Sequence, residues 1–227
     1  MMTPHTGPVP HAHRAVLPQW LALRSIPPLP AQARSALLWG DGSVPYIAVR
    51  TAAIAVGRGI PVAVIDGAMA FQVTPIAALA QARRVSPERF LRHIHIARAF
   101  TCHQLATLLC ERLDPLLATR RVGLVILLGP CTTFFDENVP FKDAFLLFRR
   151  VLQKIAALHQ HGPLLLMAQT LDRRRTRRLA FMRDLVRAVE LGIRVHTVQG
   201  RRQVQLVKAP PSSPLSHCPS SMQDWRS

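Results

Sequence analysis

The segment Leu38-Trp39-Gly40-Asp41-Gly42-Ser43-Val44-Pro45-Tyr46-Ile47 has the outline of a turn that grips phosphate, with a strand-like run, two glycines and the start of a helix. In the working form of such a turn, G-x-x-x-x-G-K-[ST], backbone N–H groups wrap the phosphates, the lysine neutralises their oxygens and the hydroxyl ligates magnesium. The last three positions here are Pro45, Tyr46 and Ile47. Proline removes a donor, tyrosine carries no positive charge and isoleucine cannot hold a hard cation. What remains is an anion nest of Gly40, Gly42 and Ser43, and an ordinary turn fits the same residues.

Positive charge is concentrated elsewhere. Arg173, Arg174, Arg175, Arg177 and Arg178 are five arginines within six positions, and Arg201, Arg202 and Lys208 follow. Guanidinium groups bridge phosphate oxygens bidentately and release counterions, which gives affinity for nucleic acid with little sequence reading. A solvated first helical turn is the alternative for the run, but arginines at a helix N-terminus oppose the dipole unless an anion arrives. The charges at Arg201 and Arg202 also fit a strand edge protected against aggregation. Aromatic residues make up 6% of the chain, so base stacking has only Phe134 and Phe135 as platforms, and paired phenylalanines in a loop also serve as core plugs.

The whole chain carries 29 Lys and Arg against 12 Asp and Glu, a formal charge of +17. Such a field draws polyanions, nucleic acid first, although a genomic arginine bias or an anionic membrane surface would leave the same composition. Apolar runs are too short or too interrupted to span a bilayer, and the first residues lack a signal-peptide core, so a cytoplasmic protein without a membrane partner is expected. Cys102, Cys110, Cys131 and Cys218 form no C-x-x-C pair, which suits a reducing compartment and buried small hydrophobes more than a thiol nucleophile. The pairs His11/His13, His93/His95 and His159/His161 lack the partner set of a structural zinc site. No metal is expected.

The elements that must position these residues alternate between short β-branched runs and helical stretches, which predicts an α/β core with a mostly parallel sheet. Residues 1–30, rich in proline and histidine, and 209–227, rich in proline and serine, read as disordered flanks of a core over 31–208. The spacing predicts strands at Ser35–Trp39, Pro61–Asp66, His93–Ala99, Val122–Leu128 and Pro163–Gln169, with Val122–Leu128 at the sheet's centre. Helices are expected over 46–56, 74–84, 102–117 (capped by Thr101), 142–159 and 172–188, and Gln199-Gly200 closes a hairpin. Asp66 and Gln169, at carboxyl ends of buried strands, are expected on the rim of a ligand crevice.

This order resembles the ATPase core of RecA-like recombinases, nearer their archaeal and eukaryotic branch. The likeness rests on the GDGS turn, VAVIDGAMAF, PERFLRHIHIARAFTCHQL, GLVILL, LLLMAQ and the closing RRQVQLVKAP, over roughly residues 25–211. It implies a three-layer core of the P-loop NTPase type ending in a β-hairpin. By the resemblance, the P-loop lysine and hydroxyl positions match Tyr46 and Ile47, the catalytic glutamate matches Ala68 and the magnesium-associated aspartate matches Leu128. Asp66 and Gln169 keep polar character, and the arginine run takes the place of the second DNA-binding loop. The family's phenylalanine-alanine polymerisation tether has no counterpart, since no phenylalanine precedes Phe71. Without lysine, magnesium ligands or a water-orienting carboxylate, phosphoryl transfer loses its means. The resemblance therefore implies a pseudo-ATPase with no cofactor that binds DNA, single-stranded and with low sequence specificity, and works with other recombination and repair proteins. A protein-interaction scaffold without DNA contact, nucleotide binding without turnover and a weak ATPase are the alternatives.

Overall fold

The computed structural model describes residues 33–171 and 178–210. Seven strands form one sheet in the order β3-β2-β4-β5-β1-β6-β7. They are β1 (Ser35–Gly40), β2 (Val62–Asp66), β3 (Ile94–Arg98), β4 (Leu124–Leu128), β5 (Leu164–Thr170), β6 (Leu191–Val198) and β7 (Arg201–Lys208). All neighbours run parallel except β6 and β7, the hairpin across Gln199-Gly200. The apolar runs of β2 and β4 are buried along their full length, as strands covered on both faces must be.

Helices close both faces and make three layers. The helices α1 (Val44–Val56), α2 (Thr74–Ala82) and α3 (Pro87–Leu91) cover one face, where Leu38, Val64, Ile126 and Leu166 meet Ile47, Ala48 and Ile76 in one core. On the other face lie α4 (Cys102–Thr107), α5 (Leu113–Thr119), α6 (Phe141–His161) and α7 (Leu179–Ala188), where Leu37, Ile65, Leu127 and Met167 pack with Leu105, Phe148 and Phe181. The alanines of α1 let that helix lie close on the sheet. Thr101 caps α4, its hydroxyl accepting from the Gln104 amide at 3.2 Å.

Two expectations are corrected. Helix 102–117 is not continuous, because a π turn over Leu108–Arg112 joins α4 to α5. β4 lies third in the sheet and β5 takes the centre. Both strands are buried on both faces, so apolar content cannot rank them. The arginine-rich segment's helix begins only at Leu179, while residues 172–177, with Arg173, Arg174, Arg175 and Arg177, lie outside the described residues, as do 1–32 and 211–227. Among the described residues no helix is long and apolar enough to cross a membrane.

Candidate functional site

Adjacent parallel strands β2, β4, β5 and β1 bring the ends of their chains to one edge of the sheet, and with them most of the residues singled out in the sequence. The turn after β1 is held by its own side chain. Asp41 Oδ1 accepts from the Ser43 amide at 2.9 Å, and Asp41 Oδ2 accepts from the Thr197 hydroxyl at 2.7 Å. The Asp41 amide donates to Val195 O at 3.2 Å and the Val44 amide to Asp41 O at 3.2 Å. A carboxylate of the chain thus sits at the mouth of α1, where an incoming anion would gain from the helix dipole. Partial burial works against its charged form, but hydrogen bonds from Ser43 and Thr197 and the nearby Arg202 guanidinium outweigh that and hold its pKa below the ordinary carboxylate value.

Gly40 is required by its surroundings. Its φ is +147°, and a Cβ there would lie 1.6 Å from Val195 O, so β6 approaches too closely for any side chain. Gly42 is exposed and Ser43 half-buried in the same turn. Tyr46 points outward, 41% exposed, while Ile47 is core. The position expected to match a magnesium-binding hydroxyl therefore lies inside the apolar interior.

Asp66 and Gln169 do not line an open crevice. Asp66 is fully buried, and its carboxylate accepts from the amides of Ala68 (3.1 Å), Ala70 (3.1 Å) and Phe71 (2.9 Å), fastening the loop after β2 to the strand's end. Arg98 Nε lies 3.9 Å away, too far to be more than a weak electrostatic neighbour. Gln169, 1% exposed, accepts from the Cys131 amide at 2.8 Å and donates to Thr132 Oγ1 at 3.1 Å and Thr170 O at 2.9 Å, so it ties the loop after β4 to β5. Leu128 is buried in β4. Ala68 packs against Gly129, whose φ of +65° brings the two backbones together.

The basic residues separate into two kinds. Arg178 donates to Phe134 O at 3.2 Å and Val139 O at 2.7 Å and lies 5.7 Å from the centre of the Phe141 ring. It anchors one end of the arginine segment to the loop and helix after β4. The other end is fixed where the Leu171 amide donates to Gly40 O at 2.8 Å. Arg201 and Arg202, by contrast, are exposed at the start of β7, beside the Asp41–Thr197 link. Phe134 is a core plug, packed on Phe148 and Phe181, whereas Phe135 is half-buried. Asp41, Thr197 and the half-exposed Phe141 join the site without standing out in the sequence; for Asp41 the signal is its spacing to Ser43, which suits an aspartate accepting the amide two residues on.

Among the described residues no three His, Cys, Asp or Glu side chains converge as metal ligands would. Burial pushes the Cys102 and Cys110 thiols up, and that of Cys131 far up, away from a nucleophile's range. His159 instead takes part in a partly buried polar cluster, its Nδ1 3.0 Å from Ser35 Oγ and its Nε2 3.5 Å from Glu190.

Comparison with models of known protein families yields no match, and no curated protein matches the sequence.

Proposed function

We propose that this chain is a non-hydrolysing, RecA-like DNA-binding accessory protein of recombination or repair. The observation that carries the reading is the turn after β1, where Asp41 serves the amide at the mouth of α1 and the aligned magnesium-ligand position is a core isoleucine. A triphosphate arriving there would face a carboxylate in place of a lysine, and like charges in a partly desolvated site repel. Two further features support it. Asp66 and Gln169 are consumed by loop amides, so no carboxylate is left at those strand ends to orient a water. On the same edge, Leu171 and Arg178 are held by hydrogen bonds, and Arg201 and Arg202 are exposed.

The test is a titration of a labelled single-stranded oligonucleotide at rising salt. Each arginine–phosphate contact contributes about 0.7 to the slope of log affinity against log salt for single strands, so R201A/R202A is expected to flatten it by about 1.4. Absent or salt-insensitive binding overturns the proposal. The scaffold alternative is favoured by one observation, the apolar surface left by Phe100 (70% exposed) and Ile96 (43% exposed) at the edge strand β3. It predicts that mutation of Phe100 abolishes partner capture while R201A/R202A leaves it intact.

A further inference from the structure

The opposite edge of the sheet carries a second concentration of charge, dispersed in the sequence and gathered by the fold. The segments entering the neighbouring strands β2, β3 and β4 are residues 57–61, 82–93 and 119–123 respectively. The Val62 amide donates to His93 O at 2.9 Å and the Gly123 amide to Pro61 O at 3.0 Å, which sets the three segments side by side. They hold seven arginines, no lysine and one carboxylate, Glu88, which accepts from the Ser86 hydroxyl. Arg83 is tied to Gly57 O at 2.7 Å. The other six, Arg58, Arg84, Arg89, Arg92, Arg120 and Arg121, are exposed, and no salt bridge among the described residues takes up any of them.

A general arginine bias does not explain this edge. The chain as a whole has 29 basic residues to 12 acidic, whereas here the ratio is seven to one. Such like charges held close together repel unless a polyanion neutralises them.

We propose that this amino-terminal edge binds the backbone of a nucleic-acid duplex. Three adjacent strands span about 10 Å, which along a duplex axis covers about three phosphates of one strand at a rise of about 3.4 Å each. Arginine alone, without lysine, suits bidentate phosphate contact. An acidic protein would need an apolar or aromatic anchor at the centre of its interface, but these segments expose no large hydrophobic side chain, and Phe90 is buried. Binders of single strands commonly add stacking on aromatic rings to a basic groove, and this edge supplies the charge without the rings. A duplex backbone requires neither. The site lies on the far side of the sheet from Arg201 and Arg202 and does not rest on the pseudo-ATPase reading.

The experiment compares salt titrations of a labelled DNA duplex and a labelled single strand with the full chain, R89Q/R92Q/R120Q/R121Q and R201A/R202A. Loss of the contacts to about three phosphates should lower the duplex slope by about 2.7, at about 0.9 per phosphate, and leave the single-strand slope unchanged. R120Q/R121Q alone should take about half of that, which keeps the test valid if the fourfold variant melts early in circular dichroism. An unchanged duplex slope overturns the proposal. So does a wild-type protein that binds polyglutamate or phosphatidylserine vesicles through these arginines and does not bind duplex. Failure of R201A/R202A to alter single-strand binding would count against the proposed function alone.

Discussion

Replacement of Asp66 tests whether it is a ligand-site residue or a brace for its own loop. In D66A, three amides lose their acceptor: that of Phe71 is buried at 2.9 Å, and those of Ala68 and Ala70, each at 3.1 Å, are only partly shielded from water. An unsatisfied buried donor costs about 1–3 kcal/mol. Taking about 2 kcal/mol for Phe71 and about 1 kcal/mol for each of the others gives a loss of about 4 kcal/mol. For a domain of this size that lowers Tm by roughly 8–16 °C. D66N retains one carbonyl oxygen, able to serve Ala68 and Ala70, but turns its NH₂ towards the Phe71 amide, so about half the loss is expected. Urea denaturation followed by circular dichroism gives both values. A loss under about 1 kcal/mol in D66A, with the m-value unchanged, would refute the brace and return Asp66 to the crevice.

G40A should destabilise by about 3–5 kcal/mol, since it combines left-handed strain with a backbone collision at Val195 O; thermal melts measure it. Because the folded pKa of Asp41 is lowered, its stabilisation is present above the ordinary carboxylate pKa of 3.8 and disappears as pH falls through the lower folded value; D41N should flatten that acid limb in a stability profile against pH. R178A should lower stability, through two lost carbonyl bonds, whereas R201A/R202A should leave it unchanged within about 0.5 kcal/mol. In a C218S background at pH 8, a thiol reagent should modify Cys110 before Cys102 and Cys131, which should react only on unfolding.

The layers were legible in the chain because burial on both faces leaves continuous apolar runs, and because Thr101 and the Gln199-Gly200 turn mark boundaries by their own chemistry. The site was less so. A polar residue at a strand's end looks the same whether it faces a ligand or captures the next loop. Asp66 and Gln169 do the latter, since Ala68 to Phe71 and Cys131 turn back sharply enough to present their amides. Arg178 stands in a run of like residues, and only the path of the chain after β4 sets it apart as an anchor. The break in the helix over 102–117 does carry a local signature that the apolar pattern hides: Pro115 has no N–H to donate to the carbonyl of Glu111, within the π turn.

The bond between Asp41 and Thr197 has a bearing on ancestry and engineering alike. It joins the turn after the first strand to the tip of the closing hairpin, residues 156 apart in the sequence, so the two cannot drift independently. If the turn descends from an ATP-gripping loop, the way back is ratcheted: a lysine restored at position 46 would meet a helix mouth already served by an internal carboxylate. Reversion would call for changes at Asp41, Thr197, Tyr46 and Ile47, and a path that begins at Asp41 or Thr197 loses the latch before it regains the fuel.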